Sequence, residues 1–257
     1  MKIKVALSLL AIIVVAGFFR LYNLKHVPVS LMWDEVAIGY NAYSILKTGR
    51  DEFGVKSPLF IRTFGEFTSA IPSYLSIPLI KYFGLNEWTV RLPNALLSIL
   101  AVIACFFFVK NLSENIPLGL IAAFLLSISP WHIHFSRYCC EGSIALNFML
   151  FGFAFWFDKK KKFFKTILSA LFFALSLYIY HHVRVFLPLF ILAFLTIEGK
   201  NYIKKNYKNL ILFFISLFIF LAPLSISLIK TKALTRAKTV AIFNHQEYID
   251  QIIEGSF

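Results

Sequence analysis

The chain has 257 residues, 59% of them hydrophobic and 15% charged, with a net charge of +13 and a mean hydropathy of +0.74. A soluble domain carries about 25% charged residues, so this composition excludes a soluble globule and points to an all-α polytopic membrane protein. The basic residues fall between hydrophobic runs, where they orient helices in a bilayer rather than bind nucleic acid, and the three cysteines fit neither a disulfide framework nor a zinc spacing.

In chain order, the first apolar run is Val5–Phe19, preceded by Lys2 and Lys4. It has the form of a signal peptide but lacks a clear A-x-A cleavage site, and further apolar runs follow, so it reads as a retained helix. Next comes "PVSLMWDEVAIGYNAY", residues 28–43, with Asp34 and Glu35 side by side at the start of a helix-like segment. The plain reading is a pair of acids complementing a helix dipole; the functional one is a catalytic carboxylate just outside a membrane helix. "TGRDEFG" holds Asp51 and Glu52 between two glycines and reads as a turn.

Phe67–Ile80 is the ambiguous run: 14 uncharged residues with two prolines, a length more typical of an interfacial or re-entrant segment than of a span. Six further runs follow as spans: Leu92–Val109, Ile116–Trp131, Gly142–Phe157, Thr166–Tyr180, Val185–Ile197 and Asn209–Ile229. With Phe67–Ile80 on the surface, about seven transmembrane helices remain. The short loops on one side then carry twelve lysines, and those opposite carry Arg137 and Arg184. By the positive-inside rule the N-terminus is cytoplasmic, and residues 20–91 form a long first extracytoplasmic loop. A rival topology lets Phe67–Ile80 span and puts the N-terminus outside.

In the preferred topology three loops meet on the outer face. The first carries Asp34, Glu35 and Glu66, with Tyr40 as a further contact residue. The second, "SPWHIHFSRYCCEG", carries His132, His134, Arg137 and Glu141, and the third, "YIYHHVRVF", carries His181, His182 and Arg184. Carboxylates at such a site supply a general base or hold a divalent metal, for which Asp34 and Glu141 are the candidates. Arginines and histidines neutralise a phosphate.

Four stretches carry a family resemblance: "RLYNL…WDEVAIGYNAYSILKTGRDEFG", "SYLSIPLIKYFGLNEWTVRLPNALLS", "SPWHIHFSRYCCEGSIAL" and "YIYHHVRVFLPL", spanning about residues 18–190. Their order resembles the GT-C membrane glycosyltransferases that use polyprenyl-phosphate sugars, with protein O-mannosyltransferases and aminoarabinose transferases closest. The resemblance implies interfacial helices in the first external loop and a catalytic acid at Asp34, with Glu35 beside it. It also implies a second acid in the next loop, where Glu141 stands although the family usually has Asp.

The expected function is transfer of a sugar from a polyprenyl-phosphate donor to a hydroxyl of a protein, lipid or glycan acceptor, with inversion, at the outer face of the plasma (inner) membrane. Asp34, Glu35 and Glu141 would be catalytic. Arg137, His181, His182 and Arg184 would bind phosphate, and Glu66 and Tyr40 would contact donor or acceptor. The alternative is a non-enzymatic lipid-linked-sugar transporter or assembly partner in cell-envelope glycan synthesis. The chain reads as one transmembrane catalytic-type domain, residues 1–257, incomplete at its C-terminus relative to the family.

Overall fold

A computed structural model describes residues 2–63, 66–160 and 163–231. The described residues form nine helices and one small hairpin. Helix α1 (Lys2–Leu21) leads through a turn to α2 (Trp33–Thr48), strands β1 (Phe60–Thr63) and β2 (Glu66–Ser69), and α3 (Ile71–Phe83). Then follow α4 (Glu87–Ser113), α5 (Ile116–Ile128), α6 (Pro130–Arg137), α7 (Glu141–Trp156), α8 (Phe163–Ile179) and α9 (Val183–Thr231). The last is interrupted at Gly199, whose φ of 72° is non-helical.

Local chemistry explains the boundaries. Asn86 caps α4, its side chain accepting from the Thr89 amide at 3.1 Å while the Thr89 hydroxyl accepts from the Asn86 amide at 3.1 Å. Asn115 and Ser129 cap α5 and α6, each followed by a proline in the first turn, where a missing N–H costs nothing. Helix α2 stops at Gly49, which takes the left-handed φ of 71° that a side chain would disfavour.

Helix α4 is the hub: α1 and α5 pack on one side, α7 on another, and α2 and α3 near its start. Helices α7, α8 and α9 form an aromatic core around Phe148, Phe153, Trp156, Phe173 and Phe213. Close approach of α7 and α8 depends on Gly152, where a Cβ would lie 2.5 Å from the Phe173 ring, and on Ser169, whose hydroxyl donates to the Gly152 carbonyl at 2.9 Å. Small residues at such contacts let membrane helices approach when lipid gives no hydrophobic drive.

The apolar runs fall on helices, with Ile116–Trp131 divided between α5 and α6 and the last two runs sharing α9, but the expected count of about seven crossings is not reached by length and composition. Among the described residues three helices qualify, Ile3–Leu21, Glu87–Ser113 and Val183–Ser227, or four if α5 and α6, bent by 56°, make one broken span. Helices α7 and α8 are apolar but have 16 and 17 residues, short of the roughly 20 that cross a hydrocarbon core without help from flanking residues. The ambiguous stretch 67–80 is not one helix. It divides into β2 and the 13-residue α3, which is shorter than the roughly 17–25 residues of a span. The protein is an integral membrane protein, and among the described residues between α1 and α4 no helix is of spanning length.

Candidate active site

Asp34 and Glu35 are neighbours on α2, and helical rotation of about 100° per residue sends them in different directions. Glu35 turns inward and is fully buried. It pairs with the equally buried Arg91 of α4, whose Nε donates to Oε1 at 3.0 Å and whose Nη2 donates to Oε2 at 3.3 Å. It also accepts from the Met32 amide at 3.0 Å and the Cys139 amide at 3.1 Å. Arg91 spends its other N–H groups on the carbonyls of Leu24, Lys25, Pro28 and Ser30. The pair thus ties α2 and α4 to the segment after α1 and to the α6–α7 linker.

Asp34 turns outward onto a cavity of about 510 Å³ and makes no hydrogen bond or ion pair among the described residues. Three separated parts of the chain build this cavity. The first supplies Asp34 and Asn41 from α2, the hairpin hydroxyls of Thr63 and Thr68, and Ser73 of α3; the second supplies Trp131, Tyr138 and Glu141; the third supplies Tyr180. Strand register sets the hairpin contribution, since β1 and β2 pair antiparallel with Ile61 opposite Thr68 and Thr63 opposite Glu66. The Thr63 and Thr68 hydroxyls lie 3.1 Å apart.

Glu141, in the first turn of α7, lines the same cavity and accepts from the Ser69 amide at 2.6 Å, fastening the end of the hairpin to the bundle. The α6–α7 linker that carries it is held from α4 by Asn94, whose Nδ2 donates to the carbonyls of Phe135 at 2.9 Å and Tyr138 at 2.7 Å. Burial, with Cys140, Asp34 and Glu35 nearby, pushes the Tyr138 hydroxyl well above its ordinary value, so it stays protonated as a donor. Burial likewise raises the Cys139 thiol strongly, and that of Cys140. Cys139 packs in the core, whereas Cys140 caps α7, its sulfur accepting from the Ser143 amide at 3.4 Å, and lines the cavity.

The remaining sequence-predicted residues divide. Arg137 does not line the cavity; its guanidinium donates to the carbonyls of Phe19, Tyr22 and Val27 at 2.7, 2.8 and 2.9 Å, closing the C-terminal end of α1. Arg184 donates from Nε to the Leu177 carbonyl at 3.0 Å and sits over the Phe60 ring, where Glu141 acts on its charge. The rings of His181 and His182 are 4.1 Å apart and lie 4.8 and 4.9 Å from Tyr180, beside the cavity rather than in its lining. Tyr40 is exposed and outside the lining, and Glu66 lies at the start of β2.

No group of three or more His, Cys, Asp or Glu side chains is arranged for a metal among the described residues. Asp34 and Glu141 are the two carboxylates in the described lining of the cavity, and Glu141 is already held by a backbone amide.

A family model described as dolichyl-phosphate-mannose-protein mannosyltransferase matches residues 8–229, most of the chain. The chain belongs to that family. It is accordingly a membrane glycosyltransferase-family domain of the GT-C class, as the order of its sequence motifs suggests. No curated protein and no solved structure matches it.

In this mannosyltransferase-family domain, sequence reading missed three framework groups: Arg91, Asn94 and the couple of Arg20 with His132. Arg20 is fully buried and donates to the carbonyls of Ala16, Leu126 and Ser127, with Nη2 2.7 Å from His132 Nδ1. Arg91 stands within "EWTVRLPNAL", a quoted motif, but nothing in one sequence pairs it with a carboxylate 56 positions earlier. Asp51, as its turn setting suggests, closes its own loop by accepting from the Phe53 and Val55 amides at 3.0 and 2.8 Å.

Proposed function

We propose that this protein transfers mannose from a polyprenyl-phosphate donor to an acceptor hydroxyl, with inversion, in the cavity beside Asp34. The observation that carries the reading is the division of the two acids: Glu35 is consumed by the buried pair with Arg91, whereas Asp34 faces the cavity unpaired among the described residues. A carboxylate so placed can take the proton of an entering hydroxyl, a contribution of roughly 10²–10⁴ in rate. As the acceptor oxygen bonds to the anomeric carbon, the bond from that carbon to the phosphate oxygen breaks, and the lipid phosphate departs carrying the negative charge.

That charge needs cations. Arg184, with only its Nε committed to a protein carbonyl among the described residues, is our first choice, with His181 and His182 beside it. Arg137 and Glu35 serve as positioning residues, since their polar atoms already hold backbone. Glu141 positions the hairpin and faces the Arg184 charge; the Tyr138 hydroxyl is a donor toward the sugar. Glu66 and Tyr40 are assigned to the approach of donor or acceptor. A divalent ion at Asp34 and Glu141 would add Lewis acidity, but no step above is routed through one.

The lysine distribution supports seven crossings, with the short helices α7 and α8 recruiting flanking residues, and a cavity on the extracytoplasmic side of the plasma membrane. The protein acceptor is taken from the family description.

The test is transfer of mannose from polyprenyl-phosphate mannose to a Ser/Thr peptide by the purified full chain. Asp34→Asn is expected to lower turnover by about 10²-fold or more, with an unchanged unfolding midpoint because Asp34 holds nothing. Turnover within a factor of about two of wild type would remove Asp34 as the base.

A further inference from the structure

The hairpin between α2 and α3 has one edge tied down and one left open. Ile61 stands opposite Thr68 and Thr63 opposite Glu66, and one step further along the ladder the Ala70 amide donates to the Leu59 carbonyl at 3.0 Å. Hydrogen-bonded positions alternate in an antiparallel pair. Leu59, Ile61 and Thr63 therefore bond toward β2, while Phe60 and Arg62 turn their N–H and C=O groups away from it. Ser69, opposite Phe60, turns outward in the same way, and its amide donates to Glu141 at 2.6 Å. That bond and packing on α8 hold β2 against the bundle. The β1 edge has no such closure. Among the described residues neither the Phe60 nor the Arg62 backbone has an outward hydrogen-bond partner, although Phe60 is only 6% exposed. Buried backbone groups are nearly always paired, and a bare edge is a template for another strand.

The two faces of the hairpin say what an added strand would meet. Ile61, Thr63 and Thr68 share one face and line the cavity beside Asp34. Phe60 and Phe67 lie on the other face and pack with Tyr178, Leu221 and Leu224. A strand laid along β1 sits about 4.8 Å from it and sends alternate side chains to the cavity face. A hydroxyl residue at such a position presents its oxygen on the side where Asp34 lies. Main-chain bonds of this kind hold an extended peptide whatever its sequence, and the pocket selects only the side chain that enters it.

We propose that the open edge of β1 docks the acceptor polypeptide as a third strand, with the Phe60 and Arg62 backbones bonding to it and its target serine or threonine turned into the cavity. This rests on the reading of Asp34 as the base for a protein hydroxyl. It adds how the acceptor is held, and it makes recognition a matter of backbone rather than of sequence around the target.

The probe is a fluorescent heptapeptide with one central serine, and its binding to the purified full chain is read by anisotropy without donor. Two further peptides carry N-methyl groups, one on the residues flanking the serine and the other on the residues two positions away. Strand addition uses the N–H groups of one alternation only. One methylated peptide should therefore bind about tenfold more weakly, and the other within about twofold of the parent. Equal loss in both, or loss in neither, overturns the proposal. On the protein side, Arg62→Pro removes an outward N–H that the ladder does not use, a change that edge strands tolerate. It should weaken the parent peptide about tenfold, whereas Arg62→Ala, which keeps the N–H, should not. Equal weakening by the two variants would assign recognition to the side chain and overturn the proposal as well. Addition of polyprenyl-phosphate mannose separates this inference from the transfer reading. Alternating binding without mannosylation would unseat the transfer reading and leave the edge standing, and equal mannosylation of all three peptides would do the reverse.

Discussion

The two ends of this helix bundle use charge in opposite ways. At the cavity end the framework charges are buried and bonded: Glu35 and Arg91 pair at 0% exposure, and the terminal nitrogens of Arg20 donate to three carbonyls beside His132. At the lysine-rich end the pair Lys159–Glu114 is 59% and 70% exposed, and the α9 lysines face outward. A buried charge is costly unless every partner is present, so the first kind fixes geometry, whereas the second is screened and acts mainly on orientation and surface binding. The framework around the cavity is built from the first kind.

Breaking the buried pair should have the largest effect. Arg91→Leu leaves Glu35 charged and unpaired and is expected to cost about 3–5 kcal/mol, read as a fall in the unfolding midpoint in detergent. The double variant with Glu35→Leu should recover only part of this, because four carbonyls from Leu24 to Ser30 still lose their donor. Full recovery would reduce Arg91 to a counter-ion.

The other half of the bundle should respond to packing instead. Gly152→Ala places a methyl 2.5 Å from the Phe173 ring and is expected to destabilise by about 1–3 kcal/mol. An unchanged midpoint would show that α7 and α8 can part at little cost.

A subtler reporter sits beside the buried pair. Burial raises the Cys139 thiol far above its ordinary value, with Glu35 and Cys140 adding to the shift, so the reactive thiolate is suppressed as pH rises through the range where an ordinary thiol ionises. In the folded protein Cys139 should resist maleimide at about pH 8, and Arg91→Leu should open it to labelling. Rapid labelling of the wild type would mean that the linker opens without loss of the pair.

The smallest effect is expected at the exposed end. Glu114→Gln removes a carboxylate that the Lys159 ammonium holds below its usual range, yet the fully exposed site should leave the unfolding midpoint where it was. A measurable drop would show that this end too relies on ion pairs.

Much of this was legible in the chain itself. Hydropathy located the helices, and the lysine spacing separated the two ends, because both are sums over many residues along one segment. The alternation of loops brings residues from three segments to one cavity, with Asp34 of "WDE" and Glu141 in its lining and only Tyr180 from the third segment. What stayed hidden was every pairing across distance. Arg137 and Arg184 look equivalent in the sequence, but one closes the end of α1 with three carbonyls and the other sits over Phe60 beside Glu141.

By itself, then, the sequence determined the class of the protein, its apolar helical runs and its family motifs. Tertiary structure alone decided which of two adjacent acids faces the cavity. A helix turns successive side chains about 100° apart, and whichever meets a buried arginine is withdrawn into the framework. That arginine lies 56 residues away in sequence and within hydrogen-bonding distance in space.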